Sequence, residues 1–399
     1  MNKVKGFVKR ETVLSAAVIL AILSAMVIRP DREYGSYIDY KTIGLLFCLM
    51  TVMAGLQSLG VFKKAGERLL GYVKGPGAVS AVLVFLCFFF SMAITNDVAL
   101  ITFVPFAIAV LKMAGMEPLV LPVVVLQTIA ANLGSMLTPV GNPQNLYLYS
   151  KAGLNAGRFM ELMAPYTAVS FGMLVFCLAV VAAGNRMPGK ERNGRGQGPM
   201  VSGFPGFSQE AAGMEASGKR IYLGRLFLYL FLFLLSLGCV ARILPWQLLL
   251  AVVITGVWIA DRSLFLAVDY SLLLTFCAFF VFIGNMKRID LIREFLNQTL
   301  HGRELLLSFG CSQIISNVPA AILLSGFTDQ YAALLRGVNI GGLGTLIASL
   351  ASLISYKFFA ESQACFPEAG SKQSYILRFT IWNVGMAIIL LLAAVMLDW

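Results

Sequence analysis

The feature that most constrains this chain is a succession of apolar runs, about one bilayer thickness each, from residue 13 to residue 397. A membrane-crossing helix needs about 20 apolar residues. Of the 399 residues, 58% are hydrophobic and 13% charged, and the mean hydropathy is +0.81. A soluble globular chain carries about 25% charged residues. The composition therefore excludes a soluble enzyme, a disordered protein and a coiled coil. The length accommodates roughly nine to eleven spans. The expected class is an all-α polytopic membrane protein.

The net charge is +11, from 31 Lys and Arg against 20 Asp and Glu. These basic residues sit mostly in loops between apolar runs, where they set orientation. No basic helix interleaved with aromatics occurs, which argues against a nucleic-acid partner. Cys48, Cys87, Cys177, Cys239, Cys277 and Cys311 lie in or beside apolar runs, with no Cys-x-x-Cys pair. They read as small buried hydrophobes rather than a disulfide framework or a zinc site. The single histidine, His301, lies beside charged residues. No His-based metal site, transition metal, nucleophilic triad or resident cofactor is expected.

The runs give spans near 13–28, 43–61, 160–183, 222–240, 245–260, 270–283 and 376–397, with amphipathic interfacial stretches at 62–73 and 285–297. Four apolar stretches are interrupted. Residues 78–111 are broken by Thr95-Asn96-Asp97. That length is too great for one helix and too small for two full spans, so it reads as a re-entrant hairpin of two short helices. Residues 118–150 are interrupted over Asn132 to Pro143, where two prolines and two glycines predict an unwound centre. The second half repeats the order: a hairpin over 304–328 broken at Ser316-Asn317-Val318-Pro319, then a broken helix over 331–359 interrupted at Asn339 to Thr345. The Gly-rich hydrophilic segment 184–220 reads as a flexible cytoplasmic linker.

The internal match is specific. Thr95-Asn96 corresponds to Ser316-Asn317 at an offset of 221 residues, and Asn132-x-Gly134-x-x-x-Thr138 to Asn339-x-Gly341-x-x-x-Thr345 at an offset of 207. The second correspondence continues from Asn142 and Asn145 to Ser349 and Ser352. Residues 1–183 and 221–399 thus predict two repeats, the second with one extra span: about nine full spans and two hairpins. With the N-terminus inside, 20 of the 31 basic residues fall inside and 11 outside, and the extra crossing inverts the second repeat. Lys287, Arg288, Arg293 and Arg303 fall outside, against the charge rule.

Paired interrupted segments in matching positions of two halves point to a transporter binding site. Helix N-termini within the membrane suit an anionic group, and unwound carbonyls suit Na⁺. Ser316 or Asn317 is the expected cap, with Pro319 in the first turn. Asp97 is a carboxylate inside an apolar hairpin, which predicts a cation or proton site, against the alternative of a structural cap. Isolated Asn, Gly and Thr residues also serve helix packing; their fourfold recurrence in matching order favours a site. The candidate residues are Thr95, Asn96, Asp97, Asn132, Gly134, Thr138, Asn142, Ser316, Asn317, Val318, Asn339, Gly341, Thr345 and Ser349, with Na⁺ expected near Asn96, Asn132, Asn317 and Asn339. Arg336 either faces the anion or caps the helix mouth. Asp269 reads as a helix cap or interface residue.

At Ile94-Thr95-Asn96-Asp97-Val98-Ala99-Leu100, at Asn132 to Pro143, and at the second-half segments Ser316 to Pro319 and Gly337 to Thr345, the sequence resembles the ion-transporter superfamily. This group includes citrate-transporter-like permeases, divalent anion–sodium symporters and arsenite-pump membrane subunits. The resemblance covers nearly the whole chain. It implies a homodimer in which a mobile domain of hairpins and broken helices moves like an elevator against a fixed scaffold. Sodium-coupled members carry Ser-Asn-Thr at both tips. Here Thr95-Asn96-Asp97 is more similar to the arsenite-pump-like and citrate-transporter-like forms, which makes proton coupling through Asp97 credible.

The expected function is secondary transport of a small anion, a di- or tricarboxylate, coupled to Na⁺ or H⁺, in the inner membrane. The alternatives are arsenite or Na⁺/H⁺ export, a passive channel, and a membrane enzyme acting on lipid phosphate. The enzyme would need clustered acids, Arg or His at mid-membrane.

Overall fold

The computed structural model describes residues 11–184, 216–365 and 370–397, with backbone alone at 216–221 and 364–365. The basic N-terminal stretch and most of the expected linker lie outside the described residues. The described residues are helical and contain no strand. In chain order the helices are α1 (Thr12–Val27), α2 (Tyr40–Ser58), α3 (Val61–Leu70), α4 (Pro76–Phe90), α5 (Asn96–Met113), α6 (Val120–Ser135), α7 (Pro143–Lys151) and α8 (Ala156–Gly184). There follow α9 (Ala216–Val240), α10 (Trp246–Ala260), α11 (Tyr270–Lys287), α12 (Asp290–Leu300), α13 (Glu304–Ile315), α14 (Asn317–Leu324), α15 (Tyr331–Ile340), α16 (Leu350–Cys365) and α17 (Lys372–Leu397). Among the described residues, seven helices are long and apolar enough to cross a membrane, and four shorter ones are apolar. The protein is an all-α polytopic membrane protein.

Two series share one order: long helix, amphipathic helix, hairpin, broken helix, long helix. These are α2 to α8 and α11 to α17. The polar faces of α3 and α12 keep them out of the hydrocarbon. Helix α6 lies at the centre, with every residue from Val120 to Ser135 buried. It packs against α4, α5, α8, α16 and α17. At the periphery, α8, α9 and α17 expose large apolar side chains such as Phe176, Leu234 and Leu392. A hydrophobic surface of this kind fits lipid rather than water.

Several boundaries differ from the sequence reading. Asn132 and Gly134 sit inside α6, and Asn339 inside α15, so the unwound segments are 136–142 and 341–349. The sequence predicts breaks at these polar residues, but in a fully buried helix the backbone keeps its i to i−4 bonds and only the side chains turn inward. The first hairpin is not made of two short limbs: α5 runs 18 residues and contains Pro105. Helix α9 begins at Ala216, so the linker ends earlier than expected. Asn285 belongs to α11 rather than to the amphipathic stretch, and is fully buried.

The second hairpin reverses at one residue, Ser316, with φ 74° and ψ 154°. This region is nearly reserved for glycine and costs on the order of 1–3 kcal/mol. Ser316 is the cap position of α14, yet its side chain makes no capping bond. Pro319 falls in the first turn of α14, as expected.

Candidate transport site

The two hairpin tips are pinned in the same way. The Asn96 N–H donates to the Gly141 carbonyl at 3.0 Å, and the Asn317 N–H to the Ala348 carbonyl at 2.9 Å. The Thr138 hydroxyl donates to the Met92 carbonyl, and the Thr345 hydroxyl to the Gln313 carbonyl at 3.1 Å. A Cβ on Gly134 would lie 2.6 Å from Ser91 Oγ, and one on Gly341 the same distance from Ser312 Oγ. Each partner in the second half is the residue that the offsets of 221 and 207 specify. Gly134, Gly341, Thr138 and Thr345 therefore seat each hairpin against its broken helix. Thr345 is exposed and Thr138 half-buried, and neither joins the central cluster.

At the centre the two halves exchange side chains. Asn132 Oδ1 accepts from Asn96 Nδ2 at 3.0 Å and from Ser349 Oγ at 3.0 Å. Asn132 Nδ2 donates to Ser352 Oγ at 3.4 Å and to the Gly342 carbonyl at 3.5 Å. Reciprocally, Asn339 Nδ2 donates to Asn145 Oδ1 at 2.7 Å, and Asn339 Oδ1 accepts from Asn142 Nδ2 at 3.4 Å. Asn142 also caps α7, accepting from the Asn145 N–H at 3.1 Å. Asn317 joins through its backbone, and its Nδ2 would lie 2.9 Å from a Cβ on Gly342. The Ser316 hydroxyl reaches Ala348 O at 3.4 Å. The four asparagines thus converge, but as a closed knot: their exposures run only from 3% to 5%.

An accessible cavity of about 200 Å³ flanks this knot. It is lined by Thr95, Asp97 and Asn142, and also by Gln57, Asp269 and Leu350. Thr95 is the cap position of α5 but makes no side-chain capping bond. The cap residues Thr95 and Ser316 make no side-chain bond to their helices, but the Asn96 amide oxygen accepts from the Asp97 N–H at 2.9 Å, and the Asn96 and Asn317 N–H groups are held by the Gly141 and Ala348 carbonyls; the helix dipoles favour negative charge at both ends. Asp269 caps α11 through the Leu272 N–H at 2.9 Å, as the sequence suggested. Val318 is buried and can contribute only backbone. Arg336 does not line this cavity; it donates to Tyr166 Oη at 3.3 Å and to the Ala332 carbonyl. The sequence does not single out as site residues Asn145, Ser352, Gln57 or Ser135, whose hydroxyl accepts from Asn142 Nδ2 at 3.1 Å. Asn145 and Ser352 were legible at the 207-residue offset; Ser135 and Gln57 carried no comparable signal.

The chain matches the citrate transporter family model (CitMHS) over residues 6–339. It is 30% identical to the inner membrane protein YbiR of Escherichia coli K12, over 84% of each chain. It is also 30% identical to the uncharacterized transporter MJ0456 of Methanocaldococcus jannaschii, over 86% of this chain and 87% of that one. A shorter match, 29% identical over 41% of this chain and 33% of the other, is to the silicon efflux transporter LSI3 of rice. With its helix ends and asparagines arranged across two matching halves, this membrane protein belongs to the citrate transporter family, within the superfamily that also holds the arsenite-pump-like transporters.

Proposed function

We propose that this protein is a secondary active transporter of a small anion, a di- or tricarboxylate, coupled to Na⁺ or H⁺. The observation that carries the proposal is reciprocity. Asn132 of the first half bonds Ser349 and Ser352 of the second, while Asn339 of the second bonds Asn142 and Asn145 of the first. A two-fold relation between two copies produces such an exchange, and paired broken helices at the midplane are the setting of transporter sites. The N-terminal dipoles of α5 and α14 favour the anion; the C-terminal carbonyls of α6 and α15 favour Na⁺. Asp97 supplies a protonatable alternative.

In this reading the repeats are inverted and the N-terminus lies inside an inner membrane. A homodimeric scaffold guides an elevator-like displacement of hairpins and broken helices. Uptake of radiolabelled citrate, succinate, malate and sulfate into proteoliposomes, under imposed Na⁺ or H⁺ gradients, tests it. Gradient-dependent uptake of at least one anion is expected; none for all four overturns the proposal.

One observation favours a second reading. The 200 Å³ cavity carries Asp97 and Asp269 and no Lys or Arg, a lining suited to a neutral hydroxylated solute such as arsenous or silicic acid. Names of two partial relatives, the Dictyostelium putative transporter arsB and the rice silicon efflux transporter, agree with this. Arsenite flux in the same vesicles, with no anion uptake, would select it.

A further inference from the structure

Helix α7 separates two cavities. Its Asn142, Pro143 and Leu146 line the 200 Å³ cavity beside the asparagine knot. Its other face carries Gln144, Tyr147 and Lys151, at spacings of three and four residues that stack on one side of a helix. This face is turned toward α11 and α14. The Tyr147 ring packs against Phe276 and Phe280, and its hydroxyl lies 2.9 Å from Ser325 Oγ. Ser325 in turn lines a second cavity of about 530 Å³, together with Lys287, Glu304, Thr328, Asp329 and Tyr331.

The polar groups on this face are ordered. Lys151 Nζ donates to Tyr147 Oη at 3.0 Å, so the tyrosine proton is left for Ser325, whose hydroxyl donates to the Ile322 carbonyl at 2.9 Å. Two further N–H groups of the lysine remain for another acceptor. In the carboxylate-bearing cavity, Glu304 already accepts from Thr328 at 3.1 Å. Gln144 is the exception. It is 1% exposed, and both atoms of its amide lack a hydrogen-bond partner. Buried polar groups are nearly always paired, and an unpaired one is destabilising. Gln144 is in the first turn of α7, between Asn142 and Asn145 in sequence and three residues before Tyr147, and is in the lining of neither cavity.

We propose that the Gln144–Tyr147–Lys151 face of α7 is a second, donor-lined subsite for a small carboxylate or oxyanion, linking the 530 Å³ cavity to the asparagine knot, with Gln144 as its innermost ligand. From Gln144 to Lys151 the path is about 10 Å long, at 1.5 Å per residue. An anion therefore contacts the donors in succession rather than together. The ammonium attracts it from the larger cavity. Parting of Tyr147 from Ser325 admits it, and the Gln144 amide receives it beside the knot. The subsite rests on the anion-transport reading above and adds to it a route and a ligand-contacting residue.

The test uses the full chain in proteoliposomes, with citrate and succinate as probes and arsenite as a neutral comparison. Gln144→Leu removes the unpaired amide at similar volume, so the melting temperature is expected to stay or rise. The same variant is expected to raise the KM for anion uptake about tenfold or more, the effect of losing one hydrogen bond to a charged group. Lys151→Met is expected to raise KM in the same direction, more at low ionic strength. If the wild type transports either anion and both variants keep its KM within about twofold, the subsite is overturned while the transport reading stands. If the wild type moves only arsenite, the anion reading falls and the subsite with it.

Discussion

The bond between Asn132 and Ser349 joins the two halves, and its energy can be isolated. Ser349→Ala removes one of two donors to Asn132 Oδ1, both at 3.0 Å, and leaves Asn96 in place. Interhelical hydrogen bonds in membranes contribute about 0.6 kcal/mol on average and about 1.7 at most, so a loss in this range is expected. Asn132→Ala does more. It strips the acceptor from Asn96, which is 4% exposed, and removes the donations to Ser352 and Gly342. An unpaired buried polar group costs about 1–3 kcal/mol, and the lost volume adds to it, so about 2–5 kcal/mol is expected. The double variant cannot lose the shared bond twice. It should fall short of additivity by about 0.6–1.7 kcal/mol. Reversible SDS unfolding in mixed micelles, followed by circular dichroism, measures all four corners of the cycle. Additivity within about 0.3 kcal/mol would refute the reasoning: the contact would then be geometric proximity without energy.

Gly134→Ala places a Cβ 2.6 Å from Ser91 Oγ and against the Phe88 carbonyl, which cannot rotate away. A loss of about 1–3 kcal/mol or more is expected, greater than for Gly341→Ala, whose nearest obstacle is the Ser312 side chain; thermal stability by size-exclusion chromatography compares the pair. Asp97→Asn is expected to abolish stimulation of uptake by a pH gradient while ligand-induced thermal stabilisation persists; undiminished stimulation would remove Asp97 from the coupling path. In the loop between α1 and α2, the Arg288 guanidinium hydrogen-bonds Asp31 at 2.6 Å and holds its carboxyl below the usual carboxylate range. A lowered pKa stabilises above the unfolded value of about 3.9 and is lost as pH falls through the folded one. The melting-temperature gap between wild type and Arg288→Gln should hold from pH 7 down to about 4.5 and narrow below about 3.9, leaving the share that comes from the Arg288 bond to Tyr37 Oη at 3.1 Å; a gap that widens on acidification contradicts the assignment.

Much of the architecture was legible because the bilayer is a severe solvent: helix positions followed from apolar run length, and the hairpins from runs of the wrong length. The recurrence of Asn, Gly and Thr gave both offsets, and the hydrogen bonds at both tips obey them residue by residue. The offsets differ by 14 residues, and most of that lies in the second hairpin limb: 18 residues in α5 against 8 in α14. Periodicity could not tell a polar residue that breaks a helix from one that a helix carries inward, so Asn132 and Asn339 were placed in unwound segments although both lie in helices. The unsatisfied amide of Gln144 was invisible for a related reason: satisfaction is a property of the surroundings.

By itself the sequence determined that this chain lives in a membrane, that it carries a duplicated pattern of polar interruptions, and which residues bear it. These follow from local chemistry: apolar length, glycine and proline content, and the rarity of Asp and Asn in hydrocarbon. Only the tertiary structure decided which partners those residues take. Asn132 meets Ser349 and Asn339 meets Asn145 across about 200 residues of chain. No local rule encodes that meeting; it arises because each half leaves polar groups that the hydrocarbon cannot satisfy and the other half can.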